Sequence, residues 1–309
     1  MQHGPAGARN GRVVVVCSDR KAQRALARLA GPTLCPIDVL AEVPDACADA
    51  IVIVDVALAR ARPELRSRPA RAWIAVPSAA ETAAEPDAVS ALLAAGWDHV
   101  IAHPMPLVGE ELLATTQKLL CGDCFGLDKY MAWGATVSTF QLDDARDRAD
   151  AVAELARELV PLGLPERIGS LVSVIADELL ANAIYAAPVD DTGVRFRARE
   201  PREAARPLAG RDAVTLRWAT DARYLALEVR DRWGSLDPAA IGPRLARGEA
   251  RPEDGMGLPL VYACANQLVV GVAPRQRTEI IALLDVRHKP TELARSASFH
   301  AFTQAASAS

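Results

Sequence analysis

Lysine is scarce in this chain. Lys21, Lys118, Lys129 and Lys289 are the only four among 35 Lys and Arg residues, so any lysine-dependent chemistry has few candidates. No stretch is basic enough to form a nucleic-acid footprint, and the formal net charge is -4. Long apolar runs are missing too. The most compact ones, VVVVC and IVIV, are strand-sized, which argues against a membrane span. The first ten residues, MQHGPAGARN, lack the apolar core of a secretory signal. Six cysteines, at 17, 35, 47, 121, 124 and 264, are scattered as reduced cytosolic thiols would be, not as a disulfide framework. These readings predict a cytoplasmic protein with neither nucleic acid nor membrane as its partner. Histidine is also sparse. The five are His3, His99, His103, His288 and His300, and none falls between residues 104 and 287.

What is present is ordinary globular material, 309 residues that are half hydrophobic and a quarter charged. That length allows two domains, each with its own core. Residues 11–120 alternate strand and helix signals. RVVVVC, IVIVDV, ARAWIAV and DHVIAH are short apolar runs of the buried parallel-strand kind, and EPDAVSALLAAG reads as a helix stopped at Gly96. The pattern predicts an α/β domain, a doubly wound parallel sheet with helices on both faces. Residues 121–135 read as an ordered linker. Its Cys121 and Cys124 form a C-x-x-C with no second pair at zinc spacing, and the bland reading of two linker thiols is preferred.

Residues 136–288 have a different order. A strand (136–142) is followed by an amphipathic helix (148–163) and a longer helix (167–188) ended by Pro188. Two alternating strands (213–219 and 223–231) come next, joined as a hairpin. After a polar stretch and a short apolar helix, two final strands cover 268–273 and 278–286. This predicts an α+β sandwich with helices on one face of a mostly antiparallel sheet. Residues 289–309 read as a disordered tail.

Three segments of this half carry candidate chemistry. Glu178 and Asn182, in ADELLANAIYAA, lie four apart and therefore share one helix face, where a carboxylate and an amide can handle water and a cation together. Taken alone, two solvated polar residues would be the simpler reading. Asp231 ends a strand in EVRDRWGSLD and can accept a hydrogen bond from an exocyclic amine, though strand-end aspartates commonly cap turns. Gly255 and Gly257, in EDGMGLPLV, precede a helix, where bare backbone N–H groups suit a phosphate.

In this order the three segments resemble the N, G1 and G2 boxes of the ATPase superfamily of gyrase, heat-shock chaperone, histidine kinases and mismatch-repair proteins. The resemblance covers roughly residues 136–286 and extends to the order of elements. It implies ATP and Mg2+ as ligands, with Glu178 as general base and Asn182 as the ligand to Mg2+. It further implies Asp231 on adenine, with Gly234, Gly255, Gly257 and Leu258 lining the nucleotide. One departure stands out. The family's first glycine box reads D-x-G-x-G, and here Trp233 takes the first glycine's place in Asp231-Arg232-Trp233-Gly234-Ser235, where it would either stack on the base or block it.

Autophosphorylation of the histidine-kinase kind needs a histidine on a helix before the ATP domain, and none is available. The segment from 139 to 187 instead resembles the anti-sigma-factor serine kinases. That implies a serine/threonine kinase or slow ATPase, and a protein partner: a sigma factor, an antagonist protein or another signalling protein, with a homodimer left open. A non-catalytic nucleotide-binding adaptor is the competing reading. Residues 11–120 resemble a response-regulator receiver, with Asp55 at the phosphoacceptor position, Ser78-Ala79 after the next strand and His103-Pro104 after the last. The acidic pair that holds Mg2+ is reduced to Cys17-Ser18-Asp19, and His103 replaces the family's lysine. This predicts a pseudo-receiver that serves interaction and not phosphorylation.

Overall fold

The computed structural model describes residues 11–17, 20–33, 35–77, 86–103, 108–202, 204–247, 257–287 and 296–304. The valine-rich run opens it as strand β1 (Arg12–Val16). Its odd and even side chains enter two different cores: Val13 and Val15 join one, Val14 and Val16 the other. Both faces of the strand are therefore covered, which is why the run is continuously apolar and not alternating. Helix α1 (Arg20–Ala30), β2 (Ile37–Val39), β3 (Cys47–Asp55), α2 (Val56–Ala61), β4 (Ala70–Val76), α3 (Pro86–Ala94), β5 (His99–Val100) and α4 (Val108–Cys121) follow. The five strands run parallel in the order β2-β1-β3-β4-β5. Leu26 of α1 and Leu112 of α4 pack on one face, Ala59 of α2 and Leu92 of α3 on the other. Helix α3 opens on Pro86, which needs no N–H there, and closes over Gly96. At φ +81°, Gly96 takes the left-handed stop and donates to the Leu93 carbonyl at 2.9 Å.

The second half contains β6 (Val137–Leu142), α5 (Arg148–Leu159), α6 (Glu166–Ala181), β7 (Val214–Thr220), β8 (Tyr224–Asp231), α7 (Pro238–Arg247), α8 (Gly257–Cys264), β9 (Gln267–Ala273) and β10 (Arg277–Asp285). Strands β6, β7, β8, β10 and β9 are antiparallel neighbours in that order. Helix α6 buries Ile168, Val172, Ile175, Ala176 and Leu179, a stripe at helical spacing against the sheet. The continuous run Glu166–Ala186 is long and apolar enough to cross a membrane by length and composition, contrary to the reading that no run approaches that length. Half of it is buried inside this fold.

Two expectations are corrected. Residues 298–303 are not a disordered tail: they form β11 (Ser298–Thr303), buried along most of its length. And the two halves do not keep separate sheets. Strand β11 lies parallel to β9 on one side and antiparallel to β5 on the other, closing one eleven-stranded sheet. Phe299 and Phe302 point to opposite faces and are each 1% exposed, so both sides of the junction are filled.

The linker covers the sheet face that α5 and α6 leave open. Phe125 and Leu127 join a core with Tyr224, Ala226, Ile281 and Phe302. The Gly126 and Leu127 amides donate to the carboxylates of Glu279 (2.8 Å) and Glu228 (3.0 Å), two buried acids on neighbouring strands. Arg217 and Arg230 neutralise Glu228, and Arg230 also pairs with Glu279. Burial, with Glu228 close by, still pushes Glu279 up to about 7.

Candidate functional site

The site forms where α6 ends. After Ala181 the helix loosens into a π-helical turn, Asn182–Ala186, of the kind that often marks functional positions. Glu178 and Asn182 lie one turn apart and half-buried, as their spacing predicts. The start of α8 comes directly against them. A Cβ on Gly257 would lie 2.5 Å from Asn182 Nδ2 and 2.9 Å from Glu178 Oε2, so a side chain there would push both groups aside. The Asn182 Nδ2 is buried and has no hydrogen-bond partner among the described residues. An orphaned buried amide beside a carboxylate and a bare helix start is a costly arrangement unless another group completes it.

Asp231 closes β8 opposite Thr278 of β10. Its Oδ1 accepts from the Trp233 amide at 2.8 Å and the Gly234 amide at 3.3 Å, so it caps the turn. Burial raises the carboxyl to about 6 against the pull of these bonds. Gly234, at φ +56°, is required by its surroundings, because a Cβ there would lie 2.2 Å from the Ala273 carbonyl oxygen. Ser235 pins the turn to the helix end by donating to the Ala187 carbonyl at 2.6 Å.

Asn182, Asp231 and Leu258 line one cleft, with Leu179, Val229 and Ile280 as its apolar walls. Its empty space is about 570 Å³, part of it open to solvent. Trp233 and Gly234 do not line it; they line the adjacent groove with Arg211 and Arg275. Gly255 lies outside the described residues. Sequence reasoning missed Thr278, Ser235, Arg195 and Arg244, which also line the cleft. The register of Thr278 against Asp231 could have found the first, but the two arginines lie in a loop and in an unforeseen helix and carried no signal.

Residues 140–281 match the family of histidine kinase-like ATPase domains. The match spans the cleft and the elements around it, and a domain of this kind implies ATP binding, typically with Mg2+. No curated protein gives a significant match to the chain. Within residues 140–281 the fit to such a ligand rests on two local features: the orphaned Asn182 amide and the space that a Cβ at Gly257 would fill.

The sites singled out in the N-terminal half are not assembled in this way. Asp55 is fully buried and caps α2, accepting from the Leu58 amide at 2.6 Å. His103 is buried, with Nδ1 at 2.9 Å from Glu111 and 3.2 Å from the Ser298 hydroxyl. Glu111 also meets His300 Nε2 at 2.8 Å. Burial alone would raise Glu111, but the hydrogen bonds from His103 and His300 outweigh it and hold the carboxyl at about 2. Asp19 and Ser78 lie outside the described residues. Cys121 is exposed and Cys124 buried, both as free thiols.

Proposed function

We propose that this chain is an ATP-dependent signalling regulator of the anti-sigma serine/threonine kinase or slow-ATPase type. The observation that carries the reading is the direct packing of Gly257 on Asn182 and Glu178, which brings two motifs about eighty residues apart to one point. In this reading Asp231 and Thr278 hold the base and Gly257, at the start of α8, faces the phosphates. Asn182 supplies an amide oxygen to Mg2+. The metal, when bound, contributes charge neutralisation on the phosphates. Glu178 takes the proton from the attacking water or hydroxyl. The partner is a protein, either a sigma factor, its antagonist or another signalling protein, and residues 11–120 act as a pseudo-receiver that serves interaction. The buried, capping state of Asp55 supports that role.

The test separates binding from chemistry. Glu178→Ala is expected to keep ATP affinity and to lower turnover on the order of a hundredfold or more. Asn182→Ala is expected to weaken Mg2+-dependent binding. Titration with ATP and Mg2+, followed by a phosphate-release assay with candidate partners, reads both. Binding by wild type with no turnover under any partner would favour the adaptor reading instead.

A further inference from the structure

Between Ala187 and Val214 the chain makes a long excursion whose described residues form no helix or strand beyond a single turn at Gly210–Asp212. Loops of this length inside a compact fold are uncommon and are usually functional. This one is tied down at many points. Asp190 caps the amides of Thr192 and Val194, Tyr185 donates to the Arg202 carbonyl at 3.0 Å, and Arg197 pairs with Asp212 at 2.6 Å.

Its hub is Trp233, the residue that stands where the family's first glycine would be. Trp233 is 7% exposed. Phe196 meets it edge-on, with ring centroids 5.9 Å apart. The guanidinium of Arg211 lies 4.2 Å from the ring centre and that of Arg197 5.9 Å. A glycine at 233 would remove all three contacts, each of a kind that measurably favours one loop conformation. The residue next to Phe196 is Arg195, and Arg195 lines the cleft that holds Asn182 and Asp231. Among the described residues Arg195 has no hydrogen bond or ion pair of its own. Among the described residues the cleft otherwise offers a polyphosphate one further cationic side chain, Arg244 of α7, and no lysine.

We infer that Arg195 recognises the phosphate groups of the nucleotide and that Trp233 is its positioning residue, holding the 188–212 loop against the cleft. The inference rests on the ATP-binding reading above. A guanidinium presents paired donors to phosphate oxygens, and such charge-assisted bonds are the stronger kind. Trp233 therefore neither stacks on the base nor blocks it; it trades a glycine for a wall that carries charge.

The experiment is calorimetric titration of the full chain with MgATP and, separately, with adenosine. Arg195→Ala is expected to weaken ATP binding on the order of tenfold or more and to leave adenosine binding unchanged, with Arg195→Lys restoring part of the loss. Trp233→Gly is expected to produce the same ATP-selective loss. Combined with Arg195→Ala it should add little further, because the two act through one contact. Trp233→Phe, which keeps an aromatic hub, should retain part of the affinity and covers the case in which the glycine variant fails to fold. Unchanged ATP affinity in Arg195→Ala overturns the role of Arg195. Fully additive losses in the double variant overturn the positioning role of Trp233. Absence of ATP binding by wild type overturns the underlying reading together with this one.

Discussion

At Asp231 burial and the turn amides pull the carboxyl in opposite directions, and burial prevails, leaving it near 6 where an exposed aspartate sits near 3.8. Below pH 3.8 the group is neutral in folded and unfolded chains alike and costs nothing. As pH rises through 6 the folded state must hold a buried charge, so stability is lost, on the order of 2–3 kcal/mol for a shift of about two units. Asp231→Asn is therefore expected to melt at higher temperature than wild type at pH 7.5, with the advantage gone below pH 4, while the same variant binds ATP more weakly. Thermal melts at the two pH values with a parallel titration check both halves; a variant no more stable at pH 7.5 would sink the burial account. Asp55 leads to a negative expectation. A receiver aspartate attacks a phosphoryl group only when Mg2+ and a lysine neutralise its charge. Here Asp55 is fully buried against the start of α2 and His103 is engaged by Glu111 and Ser298. Acetyl phosphate with Mg2+ should leave Asp55 unmodified by mass spectrometry, and a stoichiometric hydroxylamine-sensitive adduct would show the opposite. Both aspartates were legible as strand-end residues. What the sequence could not show was which one faces a cleft, because that depends on Gly257 and Thr278, remote in the chain.

Among elements, most helices and strands of residues 136–288 were readable because they keep a regular pattern over six residues or more, as α6 does from Ile168 to Leu179. Elements that broke the pattern were missed. Helix α7 contains Gly242 and Pro243, which made its segment read as a polar loop. Gly242 is there because α7 packs closely on α3, where a Cβ would lie 3.2 Å from the Leu93 carbonyl oxygen. Strand β11 was hidden for another reason. SFHAFT is short and carries Ser298 and His300, whose partners, Ala102, His103 and Glu111, are nearly two hundred residues away. Only the assembled junction makes those side chains tolerable in a core. Phe302→Ala, which empties the linker side of this junction, is expected to destabilise the protein by about 3–5 kcal/mol, as measured by urea unfolding. A loss below about 1 kcal/mol would mean that β11 is a dispensable strand.

On the scale of the molecule, one sheet and one core running beneath α2, α3, α5, α6 and α8 leave no plane along which the halves separate cheaply. Unfolding is expected to be a single transition, with Trp97 in the N-terminal half and Trp218 in the C-terminal half reporting the same midpoint in single-tryptophan variants. Two resolved midpoints would refute this. Acid should act on both halves together through the junction. Burial holds His99 well below its ordinary value, with His300 and Lys118 adding to the effect, so below about pH 6.5 the unfolded chain gains a proton that the folded chain refuses. From about 4.5 down to 2 the stability contributed by ionised Glu111 is lost as well. The position of β11 also sets a timetable for synthesis. Ten strands leave the ribosome before it does, and until residue 303 has emerged β5 and β9 each present an open edge with unpaired amides and carbonyls. A nascent chain of this design is most exposed to mispairing after β9 has emerged and before β11 has, and a slow or stalled ribosome near residue 290 would prolong that exposure.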